Sequence, residues 1–356
     1  MQLSSPDLEI RKIGDRALEN GLITSYGFVA LQKPLSFDLY RQWLDKGYSG
    51  NMEYLERHAS AKEDPQLLSP RAKSAFVVTV QYIPHPEPVN FPIKSARIAR
   101  YAKGEDYHHW LQRRLQALVD ELKLSFPNEE FATFTDSQPV LERDLAYRAG
   151  LGWYGKNTCL IHPKKGSLYL IGEIYTSIDL NDNGLKATLP VVDHCGTCTR
   201  CIDACPTQAI VAPRELDARK CISYLTIENK DNPPEELRSK MGDWLFGCDI
   251  CQTVCPWNIK VFGEKIAEKP VERNDLVADL RFILESSNSQ LQKVFAGTAL
   301  SRSAGSKLKR NAIIVCANKG LTEFEDILTQ LTSDERLGEI STWALTQLAS
   351  TKSVLT

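Results

Sequence analysis

The sequence predicts a three-part chain: an α+β or α/β domain over residues 1–185, a cysteine-rich module over 186–265 and an all-α region over 266–356. Three observations predict it. Strand-like and helix-like periodicities alternate through the first half. Eight of the ten cysteines fall between Cys195 and Cys255, and from about Asn274 onward the pattern is wholly helical. With 356 residues, 42% hydrophobic and 25% charged, the chain can build two or three cores without disulfides. The formal charge is only −2, so a polyanionic partner must be met by a local basic patch and not by a global field. The N-terminus, MQLSSPDLEIRKIGDRALENG, is charged throughout and lacks the apolar stretch of a signal peptide. No apolar run reaches the ~20 residues of a membrane span. Reduced cysteines without an export signal imply the cytosol.

In the first part, LEIRKIGDRALENGL and FDLYRQWLDKG space their apolar residues as helices, with ITSYGFVAL a short strand between them. AFVVTVQYI, from Ala75 to Ile83, is β-branched and aromatic enough for a buried strand, and His85-Pro-Glu-Pro ends it. Residues 105–125 predict an amphipathic helix, Phe131 to Thr135 a strand, Leu141 to Ala149 a helix stopping at Gly150, and Ser167 to Thr176 a strand. In the last part, DLVADLRFILES, KLKRNAIIVCANKG, FEDILTQLTS and GEISTWALTQLA read as short helices joined by brief loops, compatible with HEAT-type stacked pairs though without a clear period.

The middle part carries the strongest motif. Cys195-x-x-Cys198-x-x-Cys201-x-x-x-Cys205-Pro206 has the bacterial ferredoxin spacing, in which three close cysteines hold one 4Fe–4S cluster and the fourth ligates the other. On that logic one cluster takes Cys195, Cys198, Cys201 and Cys255, and the second takes Cys205, Cys221, Cys248 and Cys251. The second half departs from the simple repeat, since residues 222–247 are inserted, with a helix expected from Pro234 to Phe246. Zinc sites and disulfide frameworks are the alternatives, but zinc motifs pair cysteines two and two. Cys159 and Cys316 lack partner spacing and read as small buried apolar residues.

Four further stretches could carry chemistry. Asp136, at the end of a strand, reads most simply as a helix N-cap. Gly150, Gly152 and Gly155, followed by Lys156, Asn157 and Thr158, form a backbone that can approach a large ligand or a plain turn; the spacing is not a Walker loop. The run from Arg97 to His109 is either a solvated loop, with Asp106 complementing a helix dipole, or a pocket rim in which Tyr107 handles a proton. Arg302, Lys307, Lys309, Arg310 and Lys319 have no acid among them and form either a solvated face or a phosphate-binding one.

Together, RYAKGEDYHH, TDSQPVLERDLAYRAGLGWYGKNT, LIGEIYT, CGTCTRCIDACPTQAI and FGCDICQTVCPWN closely resemble the epoxyqueuosine reductase family, from about Gly47 to the RNAIIVCANKG helix. The resemblance implies a cobalamin-binding catalytic domain similar in kind to that of reductive dehalogenases, a double 4Fe–4S module and a HEAT-like, tRNA-contacting C-terminus. It implies reduction of the epoxide of epoxyqueuosine at the tRNA wobble position by cob(I)alamin, consuming two electrons and two protons. Asp136 then becomes the proton donor, which requires burial to raise its pKa, and Tyr107 assists. Cobalamin contacts are expected from Arg57, Arg97, Asp136, Lys156, Asn157, Thr158, Cys248 and Asp249, with no histidine on cobalt. Lys62 stands where the family pattern has an arginine. Arg302, Lys307, Lys309 and Arg310 are the expected tRNA contacts, and the C-terminal region is short. The expected partners are a queuosine-type anticodon stem-loop and an external electron donor, with no membrane and no second subunit. A dehalogenase-like enzyme would lack the basic helix, and a pure electron carrier would leave Asp136 and the GLGWYGKN block without purpose.

Overall fold

A computed structural model describes residues 6–85, 91–179, 191–267 and 270–355. Helices α1 (Pro6–Glu19) and α2 (Phe37–Asp45) flank strand β1 (Ser25–Ala30), and two short helices follow, α3 (Glu53–Arg57) and α4 (Ala59–Glu63). Next come β2 (Ser74–Gln81), β3 (Arg97–Ile98), α5 (Tyr107–Ser125), β4 (Phe131–Phe134) and α6 (Glu142–Arg148). A small hairpin, β5 (Trp153–Tyr154) and β6 (Leu160–Ile161), leads into β7 (Tyr169–Thr176).

The main sheet has the order β1-β2-β7-β4, and each adjacent pair is antiparallel. The domain is therefore α+β, and the α/β alternative falls: strand–helix alternation along the chain does not require parallel strands. Side chains alternate across β2 as a strand demands. Phe76, Val78 and Val80 pack with Ile10 and Ile13 of α1 and Leu111, Leu115 and Leu118 of α5 on one face, while Ala75 and Val77 meet Leu145 and Ala146 of α6 on the other.

The cysteine-rich part holds α7 (Arg200–Asp203), the hairpin β8 (Ile210–Ala212) and β9 (Glu215–Leu216), α8 (Ile222–Ile227), α9 (Glu235–Arg238), β10 (Trp244–Phe246), α10 (Ile250–Thr253) and α11 (Pro256–Phe262). The long helix expected from Pro234 to Phe246 is not formed. After α9 and a 3-10 turn over Ser239–Met241, Gly242 takes φ +60, and Trp244–Phe246 becomes a strand parallel to β3. A three-residue apolar run behind a left-handed glycine suits a short buried strand better than a helix.

Five helices close the chain: α12 (Arg273–Glu285), α13 (Asn288–Val294), α14 (Ser306–Asn318), α15 (Glu325–Leu331) and α16 (Gly338–Leu355). Their core runs without a break into the inserted segment, where Leu237, Met241, Trp244 and Phe246 join Leu280, Ile313 and Leu348. The buried carboxylate of Asp279 accepts hydrogen bonds from the backbone N–H groups of Lys94, Ser95 and Ala96 at 2.7–3.0 Å, tying the loop ahead of β3 to α12. Buried apolar surface thus crosses the expected division at residues 265 and 266. Among the described residues no helix is long and apolar enough to cross a membrane.

Candidate functional site

The cysteine loops converge beneath the small hairpin. Cys195, Cys198, Cys201 and Cys255 line one cavity of ≈ 310 Å³, together with Lys156, Asn157, His194 and Trp257. Burial, followed by the neighbouring Cys255, Cys195 and Cys198, pushes the Cys201 thiol up to about 11. Four sulfurs this close resist ionising together, and bound metal supplies the positive charge that allows it. The other four are mutual neighbours as well. Burial and then Cys221 and Cys205 raise the Cys248 thiol, while Cys248 and Cys221 are among the groups raising Cys251. Cys316 is buried as expected, whereas Cys159 lies close enough to Cys251 for the two thiols to perturb each other's ionisation.

The glycine-rich block forms the hairpin between α6 and β7. A Cβ on Gly152 would stand 2.5 Å from the carbonyl oxygen of Ile161, so close strand approach demands glycine there. The tip of the hairpin reaches the cysteine loops. Lys156 Nζ donates to the carbonyls of Gly196 (2.7 Å) and Cys198 (3.0 Å), and buried Asn157 donates from Nδ2 to the Cys251 carbonyl (3.2 Å). Thr158 takes φ +67, and its carbonyl accepts from Arg143. These side chains brace both cysteine half-sites, a role the sequence reading did not assign.

Asp136 lies on the loop between β4 and α6. It is not the N-cap of α6, which begins at Glu142 with Leu141 ahead of it. Its side chain is 56% accessible and, with Tyr107, His108 and Arg302 gathered around it, makes an open polar cleft. Tyr107 donates its hydroxyl hydrogen bond to Asp136 Oδ2, and His108 Nε2 lies 3.3 Å from the same oxygen. Burial raises the Asp136 pKa, but the close approach of His108, the Tyr107 hydrogen bond and the charges of His108 and Arg302 outweigh it and hold the carboxyl below its ordinary value. The expected upward shift is therefore absent in this arrangement. His108 is the neighbour of Asp136 to which sequence reasoning gave no part. Its signal was Asp106 two residues earlier, which N-caps α5 and also holds His108 Nδ1 at 2.7 Å.

A buried acidic pair lies on the α6 face of the sheet. Burial and then the charge of Asp136 push Glu142 up to about 8, and burial raises Glu173 of β7 well above the carboxylate range. Lys62 is buried near them and donates to the Val140 carbonyl at 3.2 Å.

The remaining expected contacts are dispersed. Arg57 is exposed, Arg97 pairs with Asp243 at 2.8 Å, and Asp249 is buried against the backbone N–H and guanidinium of Arg100. The expected basic patch differs most. Arg310 is buried and donates to the carbonyls of Leu225, Asn229 and Asp231, so it is a strut inside the helical core and not a phosphate contact. Lys307 and Lys309 donate to the carbonyls of Ile227 and Leu284, at the C-terminal ends of α8 and α12, where a cation meets the negative end of a helix. Lys319 pairs with Asp243. Arg302 turns toward the acid cleft, its Nη2 3.0 Å from His108 Nδ1.

Residues 194–258 match the family model of the 4Fe-4S double cluster binding domain, which takes in all eight clustered cysteines. Two cysteine half-sites beside a cleft that holds an acid and a tyrosine define an iron–sulfur oxidoreductase. Residues 62–137 match the model described as Epoxyqueuosine reductase QueG, DUF1730. The chain is 39% identical to the epoxyqueuosine reductase of Xanthomonas campestris pv. campestris over 318 residues, 86% of this chain and 87% of that one. It is 36% identical to the Escherichia coli K12 enzyme of that name over 316 residues, 86% and 80% of the two chains. The chain belongs to the epoxyqueuosine reductase family. Among solved structures, the Streptococcus thermophilus epoxyqueuosine reductase superposes with a TM-score of 0.80 at 28% identity, covering 97% of this chain and 90% of that one. An epoxyqueuosine reductase solved with an epoxyqueuosine-modified tRNA-Tyr stem loop superposes with a TM-score of 0.79 at 29% identity, covering 95% and 91%.

Proposed function

We propose that this chain reduces the epoxide of epoxyqueuosine in tRNA to the alkene of queuosine, with electrons fed through two 4Fe–4S clusters. The observation that carries this reading is the match along nearly the whole chain to an epoxyqueuosine reductase bound to a modified tRNA stem loop. Losing the epoxide oxygen as water takes up two electrons and two protons, so the site must both receive electrons and protonate oxygen. Asp136 and Tyr107 are the residues for the second task. Asp136 presents an accessible carboxyl to the cleft, and Tyr107, buried and bonded to it, fixes its orientation. Asp136 donates when the substrate enters, excludes water and removes the hydrogen bonds that hold it ionised. A Bacillus subtilis epoxyqueuosine reductase has been solved with its catalytic loop swung out of the active site, and Asp136 likewise stands on a loop.

Cys195, Cys198, Cys201 and Cys255 hold one cluster and Cys205, Cys221, Cys248 and Cys251 the other; the shared cavity and the mutual pKa effects support that crossed assignment. The cleft side chains fit a cobalamin. Glu142 Oε1, on a partly exposed side chain, is buried with no hydrogen-bond partner among the described residues, an acceptor that a corrin amide would satisfy. Arg57, Arg97, the backbone of Lys156, Asn157 and Thr158, and the Cys248–Asp249 turn would hold its polar fringe. The chemistry such a group supplies is strong reducing power at a low-valent metal, while the chain orients the substrate and manages protons.

Arg302 is the residue of the basic run best placed for an RNA phosphate, being 48% exposed at the cleft rim. The C-terminal helices form a short HEAT-like unit beside the clusters, and the chain acts as a cytoplasmic monomer served by an external electron donor. The test incubates the cluster-loaded protein, cobalamin and a chemical reductant with epoxyqueuosine-containing tRNA and identifies the released nucleoside. Queuosine is expected; unchanged epoxyqueuosine overturns the reading.

A further inference from the structure

The side chain of His108 is only 9% exposed and its two ring nitrogens face different partners. Nε2 is buried without an aligned hydrogen bond among the described residues, and Asp136 Oδ2 stands 3.3 Å away. Nδ1 has two neighbours that exclude each other. Asp106 Oδ1, at 2.7 Å, requires a proton on Nδ1, whereas Arg302 Nη2, at 3.0 Å, can hydrogen-bond only to a bare lone pair. Arg302 comes from the C-terminal helical part, is 48% exposed, and also lies 4.0 Å from Asp106 Oδ2. The ring itself is held in place by Tyr107, whose ring centroid is 3.9 Å away.

We propose that His108 returns a proton to Asp136, and that Arg302 competes with Asp106 for His108 Nδ1 and so holds that transfer off until an RNA phosphate draws the guanidinium away. With Arg302 seated, its charge and its claim on the Nδ1 lone pair disfavour the imidazolium. With Arg302 withdrawn, Asp106 takes Nδ1–H and the ring becomes an imidazolium whose Nε2–H points to Asp136. In the transfer the Nε2–H bond breaks, an O–H bond forms on Asp136 Oδ2, and the neutral ring keeps Nδ1–H on Asp106. Solvent then restores the Nε2 proton. No electron moves in this step. It rests on the proposed epoxide reduction, which needs two protons where Asp136 holds one at a time; the two electrons come from the external reductant.

The charges facing the ring are Asp106 on its own element, Asp136 from the loop after β4, Glu142 of α6, and Arg302. Burial lowers the His108 pKa, but the bond to Asp106 and the close approach of Asp136 outweigh it and raise the value, while Arg302 opposes them. A step that needs the imidazolium fades as pH rises through this value, so removing Arg302 moves the alkaline limb to higher pH.

The test uses the cluster-loaded protein with isotope-labelled histidine, the His108 signals being assigned by their loss in His108→Gln. The NMR midpoint of His108 is expected above that of free imidazole, to rise in Arg302→Met, and to rise on adding an unmodified anticodon stem-loop to the wild type more than to Arg302→Met. In single turnovers of pre-reduced enzyme with epoxyqueuosine tRNA, the alkaline limb tracks that midpoint. His108→Gln loses the limb and on the order of 10²-fold in rate with cluster content unchanged. A His108→Gln enzyme that keeps the wild-type pH profile, or an Arg302→Met midpoint that does not move, overturns the proposal. Stem-loop-dependent movement of the His108 midpoint in a wild type that reduces no epoxide supports the switch and sinks the substrate reading instead.

Discussion

Arg310 shows how a charged residue can be misread from its neighbours alone. It lies in the stretch KLKRNAIIVCANKG, where the run of lysines draws the eye to a surface. Helical spacing says otherwise, since Ile313, Ile314 and Ala317 are one and two turns on and share its face. The guanidinium is therefore buried, and its donors close the carbonyls of Leu225, Asn229 and Asp231. Arg310→Met should cost about 3 kcal/mol, seen as a lowered melting temperature, because it strands several buried acceptors. It should not reduce the salt dependence of tRNA binding, whereas Arg302→Met should. Asp136→Ala should keep both clusters and lose on the order of 10²- to 10⁴-fold in single-turnover rate. Full activity in that variant would remove the proton-donor assignment. The role proposed for Asp136 was legible only through the family pattern, because a lone Asp-Ser after a strand looks the same as a helix cap.

At the scale of elements, the strands and helices of the first domain were readable because their periods are clean: β1, β2, β7, α5 and α6 stand where alternation or helical spacing put them. Two things were not readable. The antiparallel order of the sheet depends on which strands meet, and periodicity does not carry that. The strand Trp244–Phe246 is too short to show a period and gains its identity from pairing with Arg97–Ile98, far away in the chain. The GLGWYGKN block was ambiguous between turn and ligand loop, and it is a tight hairpin whose tip grips the cysteine loops. Gly152→Ala would press a methyl group on the Ile161 backbone and should destabilise the hairpin by about 1–3 kcal/mol. The proposed crossed pairing of cysteines makes a sharper forecast. Cys205→Ser should spoil the second cluster and Cys255→Ser the first, distinguishable by iron content and by the spectrum of the surviving cluster. Loss of the same cluster in both variants would sink the crossed assignment.

For the molecule as a whole, the buried acids set how stability follows pH. The folded state keeps a proton on Glu142 up to about pH 8, against an ordinary value of 4.5, because burial disfavours its charge. Between those values the folded chain binds a proton that the unfolded chain has released, so stability falls as pH rises through that window. Glu142→Gln should flatten this fall, raising the melting temperature at about pH 9 more than at about pH 5; an unchanged slope would show that Glu142 is ionised when folded. The same wide view explains why expected boundaries and observed cores disagree. The insertion at 222–247 was assigned to the cluster module, and its Leu237, Trp244 and Phe246 share a core with the C-terminal helices. Those helices cannot be trimmed away without uncovering the module that carries the second cluster.

The grip of Lys156 and Asn157 on both cysteine loops has a consequence for how the protein comes of age. One short finger is fastened to two knots, and each knot should hold most firmly once a cluster is bound. A chain starved of iron should weaken both fastenings together and loosen the finger at residues 153–161, while the sheet behind it stays whole. A protease should then nick the metal-free protein there first, and leave the fully loaded one intact.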